Sequence, residues 1–251
     1  MTKGFYQLTS GMLSQGRRLD VVSNNMTNLS TAGYKAETYT DRTFEEVLIS
    51  RVGNKDKSGA TVIGGESYIL APDQLYVNYT QGSMKETGLA LDFAILGDGF
   101  FAIQTDNGVE YTRSGSFCLD NAGRLYLEGH GLVLGANGQP ITLATDQIQV
   151  DGSGNIYTQD GAFQGQLGVY TFADNAQLEK GTSGLFLAGG QAAQVQAQPR
   201  VAWKYVEESN VDMIQEMSRM LTAQRALQSG AQVLKLYDAL LTKATTEVGR
   251  M

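Results

Sequence analysis

Met220-Leu221-Thr222-Ala223-Gln224-Arg225-Ala226-Leu227-Gln228-Ser229-Gly230 opens the run that decides the fold. From it, Met220, Ala223, Leu227, Gly230, Leu234, Tyr237, Leu241 and Ala244 alternate spacings of three and four without a break. That is the heptad spacing of a helix that buries one seam against another helix. Met213, Ile214 and Met217 widen the stripe at its start. The small residues Ala223 and Gly230 let a neighbouring helix approach closely. Ser209 or Asn210 is the expected N-cap, with Asp212 in the first turn where the helix dipole favours it. A C-terminal helix is thus expected within residues 206–251.

A partner seam lies at the other end of the chain. Phe5, Leu8, Met12, Leu19, Val22, Met26 and Leu29 follow the same spacing, with Gln15 in the one polar slot. A helix over 5–29 would run about 37 Å. Its flanks are polar but weakly charged, so it needs a partner to bury the stripe. Asn and Ser compete with the backbone for hydrogen bonds. The helix should therefore end between Asn28 and Thr31, and Gly33 can take a left-handed turn. Residues 1–36 form this helix and turn.

Between the ends the texture is β. Runs such as Phe100-Phe101-Ala102-Ile103-Gln104 and Leu167-Gly168-Val169-Tyr170-Thr171-Phe172 are strand-like. Asp98-Gly99, Asn107-Gly108, Asn137-Gly138, Asp151-Gly152 and Asp160-Gly161 punctuate them as turn pairs. No helical period occurs there, so residues 67–205 are expected to be an antiparallel β domain built from hairpins. Within 37–66, Asp41 to Arg51 fits a short helix with Phe44, Val47 and Leu48 on one face. Residues 53–66, rich in Gly, Ser and Lys, fit a flexible connector. The expected class is α+β: terminal amphipathic helices pairing as a coiled coil, with an antiparallel all-β domain inserted between them. The plainer arrangement, with both helices packed only on the β domain, satisfies the same pattern.

Composition narrows the function. The chain has 251 residues, 42% hydrophobic, which is enough for a core. Its net charge is −7, and no basic run exceeds Arg17-Arg18. Nucleic-acid binding and attachment to anionic lipid are therefore disfavoured. One Cys and one His leave no disulfide framework and no zinc cluster. No apolar stretch nears ~18 residues, so no membrane insertion is expected. Met1-Thr2-Lys3-Gly4-Phe5-Tyr6-Gln7 lacks the apolar core of a secretory signal, which suits either retention in the cell or export without cleavage.

No catalytic, cofactor-binding or metal-binding residue stands out. Asp151-Gly152-Ser153-Gly154-Asn155 looks like the start of a calcium loop. However, Ile156 occupies the position that needs Gly, and Ala162 the position that needs a bidentate Glu. Asp92 and Asp98 could be drawn as an acid–base pair, yet a turn and a strand edge explain them more simply. His130 reads as a turn residue. Cys118 has no basic neighbour in sequence to activate it.

Three blocks carry a resemblance. Ser23, Asn24, Asn25, Met26, Asn28, Gly33, Tyr34 and Lys35 fill an Asn-Asn-centred signature followed by a Gly-aromatic-Lys turn. Leu91-Asp92-Phe93-Ala94-Ile95, Gly97-Asp98-Gly99-Phe100-Phe101 and Tyr111-Thr112-Arg113-Ser114-Gly115-Ser116-Phe117 form the second block. Glu208-Ser209-Asn210-Val211-Asp212, leading into Glu216-Met217 and Ala223-Gln224-Arg225-Ala226, forms the third. In this order the blocks resemble the flagellar rod and hook protein family.

The resemblance implies a structural subunit of the flagellar basal-body rod. Its helices would assemble as an inner tube and its β domain as an outer layer. It implies copies of itself and other rod and hook proteins as partners, and export through the flagellar export apparatus without a cleaved signal. It also implies a rod that crosses the periplasm and carries motor torque towards the hook. Hook proteins usually carry larger extra domains, so the length suits a rod subunit. Met26 and Tyr34 depart mildly from the family's usual Leu and Phe.

In this reading Phe5, Leu8, Met12, Leu19, Val22, Met26, Leu29, Met220, Leu227, Leu234 and Leu241 form the assembly interface. The alternative from another class is a β-domain binding module, adhesin-like or carbohydrate-binding, oligomerised by its terminal coiled coil. An enzyme has the least support.

Overall fold

A computed structural model describes residues 2–43, 47–51, 61–66, 70–181 and 184–249. The fold is α+β, with two terminal helices that pack together and a central antiparallel β domain. The chain divides into two compact units. One comprises 1–26, 37–76 and 212–251, and the other 27–36 and 77–211.

The first unit holds α1 (Thr2–Thr27) and α2 (Met213–Val248). Glycine at 230 serves their close approach: a Cβ there would lie 3.0 Å from Met12 Cγ. One at Gly4 would sit 3.4 Å from Tyr237 Oη. Val22 and Ala223 are buried at 3% and 1% exposure, fixing the packed faces. α1 ends at Thr27, one residue short of the expected 28–31, which leaves Leu29 beyond the helix, half-buried in the turn that follows.

The N-cap of α2 is Asp212, not Ser209 or Asn210. Its Oδ1 accepts the N–H groups of Ile214 and Gln215 at 2.9 and 3.2 Å. The helix therefore starts at Met213, and Tyr205–Glu207 is strand. Asn210 cannot cap because its side chain is engaged elsewhere, with the backbone at residues 36, 78 and 80.

The expected helix over Asp41 to Arg51 is replaced by strands. β1 (Glu37–Thr43) and β2 (Val47–Arg51) flank residues 44–46, so Phe44 lies outside the described residues. Thr38, Tyr39, Thr40, Thr43, Val47 and Ile49 favour a pleated surface, and a lone helix this short is marginal in water. Part of the expected 53–66 connector is also strand. β3 (Thr61–Glu66) pairs antiparallel with β2, with Val47 opposite Glu66 and Arg51 opposite Thr61. The other part, 52–60, lies outside the described residues. β4 (Leu70–Val77) pairs with β1.

The second unit is organised on strand Phe100–Thr105. On one edge it pairs with Gly108–Thr112, with Phe101 opposite Thr112 and Thr105 opposite Gly108. On the other it pairs with Gly131–Val133 and Val169–Thr171. Each of these pairings is antiparallel. Phe100, Phe101, Ala102 and Ile103 are all buried because the strand has a core on both faces. Phe101 and Ile103 join Phe93, Leu125, Val133 and Ile156, while Phe100 and Ala102 face Tyr111, Tyr170 and Phe186. A three-stranded sheet of Ile148–Val150, Asn155–Thr158 and Phe163–Gln166 adds to the first face.

The turn pairs fare unequally. Asn107-Gly108 closes a tight hairpin. Asp98-Gly99 instead links Phe93–Ile95 to Phe100–Thr105, two strands that do not pair, since Phe93–Ile95 pairs with Val201–Trp203. In the Asp151–Asn155 loop the left-handed residue is Gly154 rather than Gly152. Both Asp151 carboxylate oxygens are taken by donors from Ser153 and Asn155. Asp120 repeats this arrangement with Ala122 and Arg124.

Candidate functional site

The helix pair in the first unit presents an apolar surface. Leu8, Met12, Leu19, Met26, Met220, Leu227 and Leu234 are half-buried, whereas Phe5 and Leu241 are 44% and 38% exposed. The seam is thus only partly covered by its own partner helix. Further apolar residues flank the seam on α2: Ile214, Met217 and Leu221 on one side and Val233, Leu236 and Leu240 on the other, each set with three-four spacing and all exposed. Tyr6 and Leu13, seven residues apart on α1, are exposed as well. Ile214 and Met217 widen the seam in sequence, whereas Leu221, Val233, Leu236 and Leu240 are apolar there too but lie off the heptad. Between the helices, Leu8, Gly11 and Met12 face Ala226, Gly230 and Val233 across a groove of about 640 Å³. Exposed apolar side chains grouped along a helix pair mark an interaction site.

The signature residues of the second unit meet at a buried junction. Glu207, 1% exposed, accepts from Lys35 Nζ at 2.5 Å and from the Gly82 N–H at 2.9 Å on one oxygen. Its other oxygen accepts from Arg113 Nη1 at 3.1 Å. Lys35 also donates to the Thr80 carbonyl, and Arg113 Nη2 to the Gly97 carbonyl at 2.7 Å. The Arg113 guanidinium lies 5.3 Å from the centre of the Phe100 ring. Burial pushes the Lys35 ammonium below its ordinary pKa, while the bond to Glu207 opposes that shift.

The turn after Asn28 is tied to the same place. Gly33 has φ +69°, and its N–H donates to the Glu207 carbonyl at 2.7 Å. Asn210 accepts from the Ala36 N–H at 2.7 Å and donates to the carbonyls of Asn78 and Thr80. The Tyr34 ring carries Lys180 Nζ at 4.0 Å. Gly33, Tyr34, Lys35, Gly97, Phe100 and Asn210 are therefore brought together. Phe101, Val211 and Gly99 are buried nearby in sequence as core and close-packed backbone. Ser209 and Asn28 are half-buried, while Asp212 caps α2 in the first unit.

Asn25 acts separately, in the first unit. It is 1% exposed and pairs both side-chain groups with the Glu37 backbone at 2.8 and 3.0 Å. That pairing fixes α1 to β1. Asn24, Gln224 and Arg225 are exposed. Arg113 stands in sequence only as one member of the Tyr111–Phe117 block, and Glu207 lies just outside the third block. Beyond that, each is a charge at the end of a short strand run, Val206-Glu207 and Tyr111-Thr112-Arg113.

Among the described residues no group of three or more His, Cys, Asp or Glu is placed to hold a metal. No helix among them is long and apolar enough to cross a membrane. Cys118 is exposed. A chain with an apolar helical surface and a buried ion-pair junction has the features of an assembly protein.

Comparison with known proteins gives the family. Residues 5–35 match the model described as flagella basal body rod protein. Residues 94–158 match the flagellar hook protein FlgE/F/G D1 domain, and 204–247 the flagellar basal body rod FlgEFG protein C-terminal region. The flagellar basal-body rod protein FlgG of Bacillus subtilis (strain 168) is 33% identical over 260 residues, covering 96% of this chain and 97% of that protein. The flagellar hook-basal body complex protein FlhO of the same organism is 30% identical over 272 residues, covering all of both. The flagellar basal-body rod protein FlgF of Mesorhizobium japonicum is 33% identical over 242 residues, covering 94% of this chain and 93% of that protein. The chain belongs to the flagellar basal-body rod protein family, whose members are structural proteins of the flagellum.

Proposed function

We propose that the chain polymerises through its terminal helices into a helical, tubular drive shaft that passes motor torque towards the hook. Its partners are further copies of itself and other rod and hook proteins. It reaches the rod, across the periplasm, through the flagellar export apparatus without a cleaved signal. The observation that carries this reading is the exposed apolar surface on paired helices. Leu236 and Leu240 are each 66% exposed and Ile214 80%, although burying a Leu or Ile side chain is worth about 1.5–3 kcal/mol. Neighbouring copies would supply that burial. A head-to-tail contact that does not close a ring yields a filament.

The seam residues Phe5, Leu8, Met12, Leu19, Val22, Met26, Met220, Leu227, Leu234 and Leu241 would carry the packing. The buried junction would hold the β domain stiff. Leu234→Asp is the test. It should weaken self-association by at least about 100-fold, because an unpaired carboxylate in an apolar seam costs several kcal/mol. The aromatic near-ultraviolet signal of the β domain should not change. A variant that still forms filaments would defeat the reading.

A further inference from the structure

The groove between α1 and α2 is lined by Leu8, Met12 and Val233 and by Gly4, Gly11 and Gly230. None of its lining residues is charged. Gly4 and Gly230 each face a side chain of the other helix, Tyr237 and Met12 respectively. Gly11 does not: a Cβ there would meet no described residue within 4 Å. Glycine weakens a helix interior more than any residue but proline. A backbone left bare beside an open groove suits the close approach of something from outside the chain.

The lining says what that is. A charge placed in this groove would be desolvated without a partner, so the occupant presents an uncharged apolar face. The chain itself carries one of matching length. Ile214, Met217 and Leu221 are 80%, 45% and 51% exposed. They form a ridge about 10 Å long on α2, the same length as Ala226 to Val233 along the groove. At about 100° per residue, the ridge lies about 100–180° around α2 from Ala226 and Val233. The helix pair thus carries its groove on one flank and its ridge on the other.

We infer that the groove receives the Ile214–Leu221 ridge of a second copy. This rests on the reading that copies meet through their terminal helices. A ridge and a groove on opposite flanks cannot satisfy each other in a closed two-fold dimer, so each copy uses one flank per neighbour and the contact propagates. The centres of ridge and groove are about 18 Å apart along α2, which staggers aligned copies by that step. Tyr6 and Leu13 are exposed too, roughly 140–160° around α1 from Gly11. They stand level with the groove, since Met12 faces Gly230, and a contact through them would lack the stagger.

The test mixes two blocked variants of the full chain, read by sedimentation velocity above the concentration at which the wild type assembles. Gly11→Leu fills the groove, and Ile214→Asp combined with Leu221→Asp charges the ridge. Each variant alone should raise the dissociation constant by at least about 100-fold and stay monomeric. Both should keep the wild-type melting temperature, because Gly11 has room for a side chain and Ile214 and Leu221 are exposed. Mixed in equal amounts, they should form a dimer and nothing longer, since one keeps its ridge and the other its groove. Growth by either variant alone, or a mixture that stays monomeric, would overturn the inference. Assembly that survives the charged ridge but fails in Leu13→Asp would assign the groove to Tyr6 and Leu13 and overturn it as well. If wild-type filaments form in those cases, polymerisation through the helices still stands. A wild-type chain that never self-associates would overturn both.

Discussion

Glu207→Ala should lower the stability of the β domain by about 3–5 kcal/mol, the cost of breaking a buried ion pair by removing one partner. The carboxylate is the only negative group among three buried charges, and Lys35 and Arg113 are 1% and 4% exposed. Without it two cations face each other in the core, and the Gly82 N–H loses its acceptor. Against a total of about 5–15 kcal/mol for a domain, that loss moves the urea midpoint far. The order of effects is the sharper test. Lys35→Met leaves Glu207 and Arg113 as a neutral pair and should cost less than Glu207→Ala. Urea titration followed by Trp203 fluorescence checks both. If Lys35→Met proves the more damaging, the charge balance proposed for the junction is wrong.

Gly33→Ala should cost about 2–5 kcal/mol. The left-handed backbone alone accounts for roughly 1–2 of these, and forcing atoms into packed space adds about 1–3. The alanine Cβ would lie 2.2 Å from the Ser114 nitrogen and 2.3 Å from the Arg113 carbonyl carbon. Backbone atoms cannot rotate aside, so the 31–36 turn must lift. That movement would break the Gly33 bond to the Glu207 carbonyl. Gly88→Ala is the control. It has φ +73° but open space around it, so only the backbone cost applies. Thermal melts of the two variants should differ by several degrees. Equal melts would mean that the close packing against residues 113–114 carries no energy.

Much of this architecture can be read in the chain. The unbroken three-four spacing from Met220 to Ala244 has one physical meaning, and α2 obeys it. The strand Phe100-Phe101-Ala102-Ile103 is equally plain. The segment Asp41 to Arg51 was less so, because Phe44, Val47 and Leu48 suit a helix face while Thr43, Val47 and Ile49 suit a strand. Only pairing with Thr61–Glu66 decides between them, and such pairing is not local. Ser209 and Asn210 looked like caps because caps use such residues. Asn210 is spent on backbone groups more than a hundred residues away in sequence.

The junction shows the same limit. The family resemblance marked Gly33, Lys35 and Asn210 without saying why they matter. Their reason is Glu207, 172 residues from Lys35, and nothing in the local pattern around Val206 announces it. In the calcium-like loop, which Ile156 and Ala162 already set apart in sequence, the structure adds a local reason for the Asp151 side chain. Asp151 has the right start, but its oxygens serve its own turn.

Polymerisation through the terminal helices is tested most directly by amide hydrogen exchange, measured on the free chain and on the assembled chain. In the free chain, α1 and α2 should exchange fast along their exposed apolar faces, while Phe93–Ile95 and Phe100–Thr105 stay protected. On assembly, protection should rise over Phe5–Met26 and over Met220–Leu241 and hardly change in the β domain. Helices already protected in the free chain, with new protection confined to the β domain, would contradict it.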